Sequence, residues 1–102
     1  MEIIQVNSAI KGHFKALENN ARAGLLTYSW ENPEKLVILH TEINPAFSGQ
    51  GLGRELVMAA VSYARAQHVK ILPLCPYAHK LFQQDETLHD VLFKEQLSVG
   101  TA

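Results

Sequence analysis

The sequence is poor in cysteine, with Cys75 alone among 102 residues. One thiol cannot close an internal disulfide, and such usage fits a reducing compartment. No apolar run approaches the roughly 20 residues of a membrane-spanning helix, and the N-terminus lacks a signal-peptide pattern. A cytoplasmic protein is therefore expected. An excess of charge of either sign is also missing. The formal net charge is −1 at pH 7 and no long basic run occurs, so wholesale nucleic-acid binding has no electrostatic footprint. Internal repeats and low-complexity linkers are absent. What remains is 47% hydrophobic and 19% charged, an ordinary balance for one small globular domain over residues 1–102.

Read in order, Glu2 to Val6 is a short strand and Asn7-Ser8 a turn. His13 to Leu17 alternates, with Phe14, Ala16 and Glu18 on one face. Asn19-Asn20 signals a tight turn, because asparagine tolerates left-handed backbone angles. Ala21 to Trp30 has a β-rich composition, Glu31 to Glu34 breaks it, and Lys35 to Ile43 is a fourth strand. Short turns between four strands imply an antiparallel meander. The period then changes. Leu52, Leu56, Ala59, Ala60, Tyr63 and Ala64 recur at helical spacing, so a helix is expected over 50–67. A buried strand over 69–75 closes a right-handed βαβ unit. Pro76 suits the first turn of a second helix, ending near Gln84. Glu86 to Glu95 reads as a last short helix, followed by a frayed tail from Ser98.

Between fourth strand and long helix lies Ile43-Asn44-Pro45-Ala46-Phe47-Ser48-Gly49-Gln50-Gly51-Leu52-Gly53-Arg54. Glycines alternate at 49, 51 and 53, where the backbone must turn and where another group can approach without meeting a Cβ. A helix start adds free N–H groups and the positive end of the helix dipole. This reads as a seat for a phosphate-bearing cofactor, or else as a tight strand–helix connection. Gly-x-Gly-x-Gly is not the dinucleotide fingerprint Gly-x-Gly-x-x-Gly, and the Gly-Lys-Ser/Thr ending of a P-loop is missing.

These residues resemble the GNAT superfamily of acetyl-CoA-dependent N-acetyltransferases, whose cofactor loop reads Arg/Gln-x-x-Gly-x-Gly/Ala after a strand ending in apolar-x-Pro. Ile43-Asn44-Pro45 and Ser48 to Gly53 stand in those places. His40-Thr41-Glu42 and Pro73-Leu74-Cys75-Pro76-Tyr77 further resemble the very small single-domain branch. The resemblance implies a minimal α/β (α+β) fold, with a mixed, mostly antiparallel sheet, one central helix and short C-terminal helices. It implies acetyl-CoA (or coenzyme A) as the cofactor and an amine, on a small molecule or a protein lysine, as the acceptor. Ser48, Gly49, Gln50, Gly51, Leu52, Gly53 and Arg54 would wrap the pyrophosphate. The strand edge at Ile43 would pair with the pantetheine arm, and Cys75 and Tyr77 would border the cofactor. Two departures stand out. Ser48 replaces the usual Arg or Gln, and Phe82 occupies the position at which many relatives carry a tyrosine general acid.

Candidate catalytic groups follow from the same segments. His40 and Glu42 share a strand face, and either could take a proton from an acceptor ammonium. Both also read as solvated polar residues of an edge strand. Cys75 reads as a small buried hydrophobe, or as a nucleophile favoured by the adjoining helix N-terminus and by His79, four residues on. A covalent acetyl-Cys75 route thus stands beside direct transfer, and a CoA-binding module without transferase activity beside both. Arg54, Arg65 and Lys80 could meet the cofactor's 3′-phosphate. Cys75 and His79 have no second pair of ligands, so no metal is expected.

Overall fold

The computed structural model describes residues 1–94. Five strands form one sheet in the order β1-β2-β3-β4-β5. They are β1 (Glu2–Asn7), β2 (Lys11–Glu18), β3 (Ala21–Asn32), β4 (Lys35–Ile43) and β5 (Lys70–Pro73). The first four pair antiparallel, and β5 pairs parallel with β4. The β2–β3 turn is built by Asn19 and Asn20 at φ 51° and 68°, the left-handed angles that asparagine accepts. Two helices follow the glycine loop and β5, namely α1 (Leu52–Gln67) and α2 (Pro76–Gln84). Single 3-10 segments occupy Pro45–Phe47 and Glu86–Val91.

Three expectations are corrected. The helix expected from residue 50 begins at Leu52, because Gly51 at φ 77° is still in the left-handed region and caps it. The strand expected over 69–75 stops at Pro73, and Cys75 becomes the N-cap of α2. The last helix is a 3-10 segment that stops at Val91. Leu92 bridges to Ile71 and the Phe93 amide donates to the Ile71 carbonyl, 2.8 Å away. Pairing with the edge of β5 thus replaces a helical turn. Glu95 and the tail from Ser98 lie outside the described residues.

Both helices pack on one face of the sheet. Leu56, Val57, Ala60, Val61 and Ala64 of α1 are buried against Phe14, Leu26, Tyr28, Leu36 and Ile38. Phe82 and Ala78 of α2 join the same core. At the far end from the glycine loop, Asn7 gathers hydrogen bonds from the Tyr28 hydroxyl (2.9 Å) and the Trp30 indole (3.4 Å) and donates to Tyr63 (3.2 Å). Gln5 donates to Tyr28 at 2.8 Å. Burial raises the Tyr28 pKa, so this phenol stays neutral and keeps a proton to donate.

One irregularity positions the site. Tyr28 pairs with Ile38 but Thr27 pairs with His40, which leaves Leu39 as an extra residue in β4. Such a bulge shifts the two-residue alternation by one. Leu36 and Ile38 point into the core, and unbroken alternation would send His40 and Glu42 after them. The bulge turns Thr41 and Ile43 inward instead, opposite Leu26 and Gly24. His40 and Glu42 are exposed on the helix-free face.

Candidate active site

Strands β4 and β5 pair only from Lys35↔Lys70 to Ile38↔Pro73. Beyond that point the Leu74 and Cys75 amides both donate to the Ile38 carbonyl, at 3.0 and 3.1 Å. The chain then turns into α2, while β4 runs on beside β3 to Ile43. Among the described residues the edge of β4 from Leu39 to Ile43 is therefore free on the β5 side, and an extended amide-bearing chain can pair with it as an added strand would.

The glycine loop lies at the end of that edge. Asn44 accepts from the Ala46 amide at 2.9 Å and donates to the Arg22 carbonyl at 3.2 Å, which pins the loop entrance to β3. Ser48 spends its side chain locally, donating to the Pro45 carbonyl at 3.1 Å. Gly49 and Gly51 have φ of 81° and 77°, with open space where a Cβ would stand. No side chain caps α1. Glu55 makes the first backbone bond, to Gly51 at 3.2 Å. The amides of Leu52, Gly53 and Arg54 find no acceptor among the described residues. They constitute an anion seat at a helix N-terminus, so the residues present fit the pyrophosphate of coenzyme A.

Gly53 has a different task. A Cβ there would meet the Tyr77 ring at 2.9–3.0 Å, so the third glycine seats Tyr77 over the first turn of α1. The Tyr77 side chain, 44% exposed, borders the anion seat. Arg54 presents its amide to this seat, but its guanidinium is held by Asp85 at 2.9 Å. Hydrogen bonds from the Thr87 hydroxyl, then from Arg54 and the Thr87 amide, pull the Asp85 pKa down to about 2. Arg65 is likewise committed, to Asp90 at 2.9 Å, and that bond raises its pKa. Lys80 is exposed on α2.

The remaining candidates divide between the two faces. Cys75 is 4% exposed on the helix side, where its thiol donates to Thr41 Oγ1 at 3.4 Å. His79 is exposed and lines a groove with Phe82, His89 and Leu92. Among the described residues no hydrogen bond joins its ring to Cys75, so the helical spacing does not create a Cys–His pair. Phe82 is 1% exposed, within the core. Across the sheet, Glu42 and Ile43 border a cleft of about 260 Å³ with Arg22, Gly24 and Leu25. His40 stands in a cross-strand row with Thr27 and His13. Thr41 as the partner of the thiol and Arg22 as a cleft residue emerge only in the structure. Nothing in their local patterns marks either one, since the bulge and the sheet register bring them in. The role of Asn44 was visible in its place before Pro45, a signature of a capped turn.

A bulged strand splayed from its parallel neighbour, ending in a glycine loop and an uncapped helix, defines a fold for binding an acyl-CoA. A model of GCN5-related N-acetyl-transferases matches residues 13–91, and the chain belongs to that family. It is an acetyltransferase that uses acetyl-CoA. No curated protein matches its sequence. Among solved structures, a GCN5-like protein of Staphylococcus aureus is similar with a TM-score of 0.72 and 25% identity, over 98% of this chain and 96% of that one. Ribosomal-protein-alanine N-acetyltransferase from Brucella melitensis has a TM-score of 0.67 at 14% identity, over 93% and 70% of the two chains. A streptothricin-type acetyltransferase from Bacillus anthracis, solved with acetyl coenzyme A, has a TM-score of 0.61 at 17% identity, over 78% and 47%.

Proposed function

We propose that the chain acetylates an amine by direct transfer, with Glu42 as the general base. This rests on the Leu39 bulge, which puts Glu42 on the open face beside a free strand edge. When bound, acetyl-CoA supplies an acetyl thioester whose C–S bond gives way to a C–N bond with the acceptor nitrogen, and CoA leaves as a thiol, taking up a second proton given up by that nitrogen. The amides of Leu52, Gly53 and Arg54 would hold the pyrophosphate, with Tyr77 beside them. The β4 edge up to Ile43 would orient the pantetheine arm. Glu42 would take the proton of the incoming ammonium, and His40, two residues back on the same face, would assist through water. The pairing of its thiol with Thr41, on the buried side, sets Cys75 apart from this acceptor face, so the reading has no acetyl-cysteine step. The same proposal places the chain in the very small single-domain branch, a reading supported by the Pro73 to Tyr77 segment, and has it act in the cytoplasm as one domain.

The test is thiol release from acetyl-CoA with an amine acceptor, measured from pH 7 to pH 10. Glu42→Gln should lower kcat/KM about 100-fold at pH 7 and recover as the free amine accumulates at high pH. Cys75→Ala should retain acetylation. A Glu42→Gln enzyme with the wild-type rate at pH 7 would move the base elsewhere. A covalent acetyl lost in Cys75→Ala, together with activity, would restore the thioester route.

A further inference from the structure

The cleft beside Glu42 carries opposite charges that no described residue pairs. Glu42 on β4 and Arg22 on β3 both line it. Among the described residues neither side chain has an ion pair or a hydrogen bond. Every other arginine there is tied down, Arg54 by Asp85 and Arg65 by Asp90. Gly24 lines the cleft through its backbone, since a Cβ there would stand on the helix side, 3.0 Å from Ile43 Cδ1 and 3.1 Å from Leu56 Cδ1. Leu25, the cross-strand neighbour of Glu42, adds an apolar patch. Asn44 clamps the Arg22 carbonyl at 3.2 Å, which ties the backbone at Arg22 to the cleft's far end. The volume, about 260 Å³, admits a molecule of amino-acid size.

We propose that the acceptor is a small zwitterion, an amine that also carries a carboxylate, spanning the cleft from Glu42 to Arg22. This rests on the direct-transfer reading and gives it a substrate class. The ammonium end would face Glu42, which removes its proton. The carboxylate would take the planar two-pronged guanidinium of Arg22, for which a neutral amide or an alkyl chain offers no equivalent. Leu25 would meet the methylene spacer.

The experiment compares kcat/KM for β-alanine and γ-aminobutyrate with that for their carboxamides and for butylamine, with CoA binding followed by native mass spectrometry. The carboxamides carry less basic amines and hold more free base at pH 8, so the comparison is biased against the proposal. The wild type should prefer the carboxylates about tenfold or more. Arg22→Ala should bring that preference near unity, and Arg22→Lys should restore part of it. Equal rates for both classes, or a preference that survives Arg22→Ala, overturn the zwitterion while amine transfer stands. CoA binding with no acetylation of any of these amines overturns the zwitterion, and if a lysine-bearing peptide assayed beside them is not acetylated either, the amine-transfer reading falls with it.

Discussion

At the scale of single residues, the three glycines of the loop separate into two kinds. Gly49 and Gly51 serve the backbone, and Gly53 serves a neighbouring ring. An alanine at 53 would need Tyr77 to move, since its Cβ would lie 2.9 Å from Tyr77 Cζ. Tyr77 is on the surface and can swing out. Gly53→Ala should therefore cost less than about 1 kcal/mol of stability, yet weaken CoA binding about tenfold as the ring leaves the anion seat. Titration calorimetry with CoA beside a thermal melt separates the two effects. Unchanged affinity would mean that Tyr77 takes no part in the seat.

At the scale of elements, α1 and the 3-10 segment after α2 are joined through Arg54, Asp85 and Thr87. The Asp85 pKa of about 2 lies below the roughly 3.9 of an unfolded aspartate. A depressed carboxylate pKa adds stability that is complete above about pH 4 and is lost as pH falls through about 2. The stability gap between the wild type and Asp85→Asn, measured by denaturant unfolding, should be constant from pH 7 to 5 and close toward pH 2. A gap that ignores pH would show that this carboxylate does not tie the elements together. Legibility from sequence also differs by element. Strand β4 and helix α2 follow from the apolar run Leu36 to Leu39 and from Pro76, and their observed bounds are the expected ones. The end of β5 does not follow, because Cys75 leaves the sheet to cap a helix through a tertiary contact with Ile38. The glycine loop was readable as a local motif. The bulge at Leu39 was not, since only the register with β3 defines it. For the same reason His40 and Glu42 could be placed on a common face, but not on the face away from the helices.

At the scale of the whole molecule, one helical layer covers one side of the sheet, and β1 sits at its edge. A domain this small has a thin margin of stability. Asn7 matters beyond its size, because it links β1, through Tyr28 and Trp30, to Tyr63 on α1. Asn7→Ala would strand donors of two aromatic residues and should cost about 1–3 kcal/mol, which for a domain near 100 residues lowers Tm by about 4 °C or more. A melt followed by far-ultraviolet dichroism checks this. A Tm within 1 °C of the wild type would show the cluster to be dispensable.

The single unpaired position in β4 gives the fold an evolutionary tolerance. Losing the Leu39 codon would leave the strand order and the glycine loop in place. It would also keep residues 40–43 opposite their present partners, since Thr27 already pairs with His40, so Glu42 would stay on the open face and Thr41 on the core side. Only a slip of the second half of β4 by one position, pairing Leu39 with Thr27, would turn Glu42 to the core. Descendants that lose this one codon would be expected to keep the carboxylate where it now stands.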